Sequence, residues 1–545
     1  MRFKSKIYII GTLLTAVALT QSCGQSSASK CCNSADEQQL IIGDSIAIAP
    51  TQYGKVKGYI YSDVFTFLGI PYGADTGSEN RFMPPQPPTP WEGIRPALYY
   101  GNVSPQDMDN RYSSSYGSFR DHWNYTDASE DCLMLNVWTP GLDSKKRPVL
   151  VWVHGGGFTS GNGIEQDGYN GTNIARYGDI VFVSMNHRLG PIGFTDFSAV
   201  DPKYADSGNV GILDVVAALK WVHNNISSFG GDPDNVTVMG QSGGGAKICT
   251  LMAMPETKGM ISKGVGLSGN AKDAMDQSYS STVGKLIYEK AGRDMNKLKS
   301  MPWREYLDLA NGVAEEINEK NGLPRRLGGN FGPVADGIHI PKGMFFTDKD
   351  SPSNIMPLLL SSTSAEASLS TFDSSKENMT REEAESMITE MYPGKDAAAI
   401  YDAFYKILPD QKPIDVVNYL CGYRDQVLEV ADLKSSQDAP VYVALFAWQS
   451  PLFDGRMRCP HCSDIAFWFR NTDEMASHTG GGLRPRKLSA TMADALIQFM
   501  KTGKPVAKGL PDWPEYTPEH PATMYLSDKC RLYDDLDTEA INYIK

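Results

Sequence analysis

The stretch VTVMGQSGGGAKICTLMAM, Val236 to Met254, limits what this chain can become more than any other. An apolar β-run, Val236–Gly240, breaks at Gly240-Gln241-Ser242-Gly243-Gly244, and a helix-compatible segment follows. Strand, sharp turn and helix around G-x-S-x-G make a nucleophile elbow: small flanking residues admit a strained turn, and the serine is presented at a helix N-terminus. Taken alone, the same letters also fit a glycine-rich turn with an incidental serine. A second stretch narrows the choice. VLVWVHGGGFTSGN is an apolar run ending in His154-Gly155-Gly156-Gly157-Phe158. Three consecutive glycines let peptide N–H groups converge on one point without Cβ obstruction, as an oxyanion hole for acyl transfer requires. A phosphate-cradling loop is the alternative, but no Gly-Lys-Ser/Thr follows to complete it. The two motifs in one chain are far more specific than either alone.

The surroundings predict an α/β architecture. Val149–Val153, Ile180–Met185, Val236–Gly240 and Val441–Trp448 are near-continuous apolar runs, as expected of strands buried on both faces in a parallel sheet. Helical patterns such as Gly211–Ile226 and Ala490–Gly503 lie between them, and ligands are then expected at the carboxyl ends of the strands. A net charge of −13 argues against nucleic-acid binding, which needs a basic footprint.

The N-terminus predicts export. Arg2, Lys4 and Lys6 precede an apolar run, Ile7 to Thr20, too short to span a bilayer comfortably. Residues 1–22 are expected to be a signal peptide. Residues 23–43 read as a polar tether, with Cys23 either lipidated, as in a bacterial lipoprotein, or simply part of a secreted chain. Residues 44–545 are expected to form a single catalytic domain. The location implied is periplasmic or outer-membrane-associated, or secreted, with the membrane reached only through an N-terminal lipid.

Cys459-Pro460-His461-Cys462 poses a separate question. The tetrapeptide looks like a thiol oxidoreductase motif or half of a zinc site. Export weakens the redox reading, and zinc would need a second Cys/His pair that the sequence does not offer.

In order along the chain, FLGIPYG, RFMPPQPPTPWEG, SEDCLMLNVWTP, NHRLGPIGF, WVHNNISSFGGDPDNVTVMGQSGGG and LPDWPEYTPEHPATMYL resemble the type B carboxylesterases, which include para-nitrobenzyl esterases and cholinesterases. The resemblance runs from about residue 44 to 540. It implies an α/β-hydrolase fold and hydrolysis of small-molecule carboxylic esters through an acyl-enzyme, with no metal or other cofactor. It also implies the chain order serine, acid, histidine. Ser242 is then the nucleophile. Glu366, in PLLLSSTSAEASLSTF, stands at the acid's position, although Ser361 and Ala367 replace glycines usual in the family. Of the histidines that follow, His461 fits the family's H-x-x-E-x-x-x-x-F, with Asp464 in place of the glutamate. Gly156, Gly157 and Gly243 would supply the oxyanion-hole N–H groups.

Gln241, where many relatives carry Glu, removes an anion beside the histidine and weakens the case for cationic substrates; equally, it could keep the same hydrogen bonds. Phe158, Trp468 and Phe469 are candidates for an acyl pocket or for core. The segment Asp107–Ser129 is expected at the active-site rim. Ser104 replaces a cysteine that relatives pair with the equivalent of Cys132. Cys459 and Cys462 are expected to close a short disulfide bracing the histidine loop.

Overall fold

Alternation of apolar runs with amphipathic segments produces a twelve-stranded sheet among the described residues. The computed structural model describes residues 38–107, 127–320, 330–407 and 411–545. The expected signal peptide, most of the expected tether, and most of the Asp107–Ser129 insertion lie outside the described residues. Residues 39–545 cluster as one unit. No helix among the described residues is long and apolar enough to cross a membrane.

The centre of the sheet is parallel. Its strands run Val181–Met185, Arg147–Val153, Gly231–Gln241, Lys263–Leu267, Leu358–Thr363, Val441–Phe446 and Thr523–Leu526, each hydrogen-bonded to the next in parallel register. Antiparallel strands Met134–Thr139 and Arg531–Tyr533 flank this block. Buried on both faces, the central strands need apolar residues at every position, which is why they read as runs rather than alternations. Along Arg147–Val153, Val149, Val151 and Val153 join one core cluster, while Leu150 and Trp152 join the other on the opposite face. The sheet therefore separates two hydrophobic layers.

One strand has little apolar character in sequence. Lys263–Leu267, KGVGL, carries two glycines because the helix Gly243–Ala253 and the segment just past the strand crowd it. A Cβ at Gly264 would come within 2.3 Å of Met252 Sδ, and one at Gly266 within 2.0 Å of Asn270 Oδ1.

A buried ion pair ties a loop at the end of an interior strand to its neighbours. Arg188 and Asp214 are both fully buried, with Nε donating to Oδ2 at 2.8 Å and Nη2 to Oδ1 at 2.7 Å. Arg188 Nη1 also donates to the carbonyl of Met83 at 2.8 Å. The guanidinium thereby joins the loop after Val181–Met185, the helix Val210–Asn225 and the N-terminal part of the chain.

Candidate active site

The motif residues gather at the carboxyl ends of the parallel strands. Ser242 follows the strand Gly231–Gln241 and caps the helix Gly243–Ala253. His154–Gly157 follow the neighbouring strand Arg147–Val153. Glu366 follows Leu358–Thr363, and His461 lies in the loop beyond Val441–Phe446.

Ser242 adopts φ 58° and ψ −127°, left-handed backbone that a side chain tolerates only under strain of about 1–3 kcal/mol. The glycines around it are sterically required. A Cβ at Gly240 would lie 2.4 Å from the Gly244 carbonyl carbon, and one at Gly244 would lie 2.2 Å from the Val153 oxygen. The two glycine motifs also meet: a Cβ on Gly243 would sit 2.1 Å from Gly157 O, and one on Gly155 would sit 3.2 Å from Ser242 Cβ. The Gly156, Gly157 and Gly243 N–H groups donate to no group among the described residues.

Glu366 and His461 are held together twice. His461 Nδ1 donates to Glu366 Oε2 at 2.6 Å, and the His461 backbone N–H donates to Glu366 O at 3.0 Å. The other carboxylate oxygen, Oε1, accepts the Thr363 N–H at 2.8 Å. A carboxylate only accepts, so the imidazole proton sits on Nδ1 and Nε2 is the basic nitrogen. That nitrogen faces the Gln241 side-chain amide at 3.1 Å, and the Ser242 hydroxyl makes no hydrogen bond to a described residue. In serine hydrolases the serine–histidine bond often tightens only when substrate binds.

Several expectations need correction. Cys459 and Cys462 are free thiols, not a disulfide. Cys459 Sγ pairs with Ser364 Oγ at 3.2 Å, whereas Cys462, at φ 71°, turns its thiol to Gln241 Oε1 at 3.2 Å. Trp468 and Phe469 are core residues rather than pocket lining. Both are fully buried, and Phe469 packs edge-on against Trp152 and Phe182 with centroids 5.0 and 5.1 Å away. Phe158 is half-buried and rests against Phe194. Cys132 is free and buried.

Two residues of the site did not stand out in the sequence, one beside His461 and one beneath the glycine turn. The Tyr423 ring lies 5.3 Å from the His461 ring. Lys247, a lone cation in the apolar helix after Ser242, is fully buried beneath the glycine loop. Its only sequence signal is a charge where the helix otherwise reads as core.

Asp464 is fully buried; Trp468 Nε1 donates to its Oδ2 at 3.3 Å, while Oδ1 has no partner. Burial first, and the Glu366 carboxylate second, push its pKa up to about 7. In the folded protein it keeps a proton that the unfolded chain loses near pH 4. Between roughly pH 4 and 7 the folded state therefore binds more protons, and stability falls as pH rises through that window. Asp464→Asn, which cannot ionise, is expected to be more stable than the parent at pH 8, by on the order of 1–4 kcal/mol. The gap should close towards pH 4. Thermal melts across that range read it, and parallel pH dependences in the two proteins would refute it.

Among the described residues no group of three His, Cys, Asp or Glu side chains could hold a metal ion.

Over most of its length the chain is similar to known esterases. The Carboxylesterase family profile matches residues 45–544. The chain is 33% identical over 497 residues to the para-nitrobenzyl esterase of Bacillus subtilis (strain 168), covering 90% of this chain and 97% of that one. It is 31% identical over 494 residues to the phenmedipham hydrolase of Pseudarthrobacter oxydans, covering 88% and 95%. Among solved structures, it superposes with a TM-score of 0.77 and 31% identity on an esterase from Clostridium hathewayi that can hydrolyse aliphatic aromatic polyesters, covering 92% of this chain and 98% of that one.

Proposed function

This chain belongs to the carboxylesterase family and is a carboxylic ester hydrolase of the α/β-hydrolase fold, and from that premise we propose that Ser242, His461 and Glu366 are its catalytic triad. The hydrogen-bonded Glu366–His461 pair, set beside the strained Ser242, carries this reading.

In the proposed reaction, Ser242 Oγ attacks the ester carbonyl while His461 Nε2 takes its proton; serine at its own pKa is too weak a nucleophile without that base. Glu366 fixes the imidazole tautomer and stabilises the imidazolium. The carbonyl π electrons move onto oxygen, and the N–H groups of Gly156, Gly157 and Gly243 receive the oxyanion. Collapse of the tetrahedral species expels the alcohol, which takes the proton from His461. Water then attacks the acyl-enzyme by the same route and releases the acid and Ser242. In the proposed reaction the Ser242 hydroxyl takes the place of the Gln241 amide as the partner of Nε2.

The substrates this site suits are small esters without a cationic group. Gln241 is neutral where a carboxylate would favour a cation, and below about pH 7 Asp464 is neutral too. A fluorophosphonate probe is expected to add its phosphonyl mass to the Ser242 peptide and to abolish hydrolysis of p-nitrophenyl acetate. Labelling elsewhere, with full hydrolysis retained, would overturn the assignment.

A further inference from the structure

Lys247 has no part in the mechanism above, yet it is fully buried and hydrogen-bonded to the glycine turn that lies against Gly243. Its Nζ donates to the carbonyls of His154 at 3.1 Å and Gly157 at 3.0 Å, the two ends of the triple-glycine turn. The turn's inner carbonyls are tied back as well. Gly155 O pairs with His154 Nδ1 at 3.0 Å, and Gly156 O accepts from the Ser160 N–H at 3.0 Å. In a trans peptide each carbonyl points opposite to the next residue's N–H. Holding Gly155 O and Gly156 O on one side therefore aims the Gly156 and Gly157 N–H groups to the other. Lys247 fixes the peptides that flank this pair.

We propose that Lys247 is a positioning residue for ester cleavage: its ammonium clamps both ends of the His154–Gly157 turn from below and so holds the Gly156 and Gly157 N–H groups on the oxyanion. The inference rests on the triad and oxyanion-hole reading and deepens it.

The burial of the charge supports a specific role. A lysine in a dry interior is costly unless its N–H groups are satisfied. Here burial pushes the pKa down to about 7 in spite of the buried Glu165 carboxylate, which raises it. Packing alone would be served by an apolar side chain of similar length. His187, stacked on His154 at 4.9 Å, is held neutral by its own burial and by this ammonium, so it brings no second cation to the site. Lys247 Nζ also lies 5.5 Å from the centre of the Phe158 ring, which fixes the residue just past the turn.

Lys247→Met keeps the length and loses the donor and the charge. The folded variant is expected to show kcat for p-nitrophenyl acetate lowered about 10²-fold, comparable to losing an oxyanion-hole donor, with KM within about threefold of the parent. Lys247→Gln, which retains N–H donors on a shorter neutral side chain, should fall between the two. A folded Met variant with kcat within threefold of the parent, or one whose whole loss lies in KM, overturns the proposal. If the Met variant does not fold, the Gln variant decides: a tenfold or larger fall in kcat at unchanged KM supports the clamp, and a parental kcat refutes it. Ser242→Ala is assayed alongside. Hydrolysis surviving in that variant overturns both readings, whereas an inactive Ser242→Ala beside a fully active Lys247→Met overturns only the role of Lys247.

Discussion

Replacing Ser242 by Ala is expected to lower kcat for p-nitrophenyl acetate by about 10⁵-fold, leaving the small residual rate that an oxyanion hole and substrate binding give without a nucleophile. The size of the effect follows from the mechanism. Without Oγ no acyl-enzyme forms, and the Glu366–His461 pair has no proton to move except from water. His461→Ala should cost a similar factor, because the triad acts as a unit. Adding the second substitution to the first should then change little. Steady-state rates for the two single variants and the double variant test this. Retention by Ser242→Ala of more than a tenth of the parental kcat would be incompatible with a serine acyl-enzyme.

The largest expected effect on stability lies elsewhere. Asp214→Ala should destabilise the protein by about 3–5 kcal/mol, the usual cost of removing one partner from a fully buried ion pair. The fully buried Arg188 guanidinium would keep its bond to Met83 O but lose both carboxylate bonds, with no solvent to replace them. An exposed pair behaves differently. Glu316→Ala breaks the Lys290–Glu316 contact at 2.5 Å, but both side chains are about half exposed, and the cost should stay below about 1 kcal/mol. Urea midpoints and inactivation temperatures of the two variants provide the comparison. An Asp214→Ala protein that loses activity at the parental temperature would show that the pair is dispensable.

Much of the fold was legible because a buried parallel sheet leaves long apolar runs. Val149–Val153, Ile180–Met185 and Val441–Trp448 each correspond to a strand shifted by two residues at most at either end. Lys263–Leu267 was not legible. Its glycines answer to the close approach of Met252 and Asn270, a tertiary demand that local pattern does not encode. The helix Leu483–Thr502 begins seven residues before its apolar pattern, since Pro485 is tolerated in a first turn and the early residues are polar. Gly503, at φ 78°, closes it as the C-cap, at the end of the helical pattern read from the sequence.

The chemistry was legible to a different degree. Motif and chain order pointed to Ser242, Glu366 and His461, and the structure brings the acid and histidine into contact. The cysteines flanking His461 misled because spacing says nothing of direction: one thiol turns towards Ser364 and the other towards Gln241. Trp468 and Phe469 were ambiguous for a similar reason, since only the packing of Trp152 and Phe182 around Phe469 shows which side of the loop is interior. Lys247 needed the three-dimensional turn before its two carbonyl partners could be recognised.

The sheet's central strands carry one more consequence. The glycine turn and Ser242 emerge early from the ribosome, Glu366 later, and His461 only after the strand Val441–Phe446, with Thr523–Leu526 still to come. On the proposed triad, a nascent chain therefore holds the nucleophile before it holds the base, and an incomplete chain should not hydrolyse esters. C-terminal truncations that end before His461 are then expected to be inactive in an assay with p-nitrophenyl acetate, whatever share of the sheet they can form.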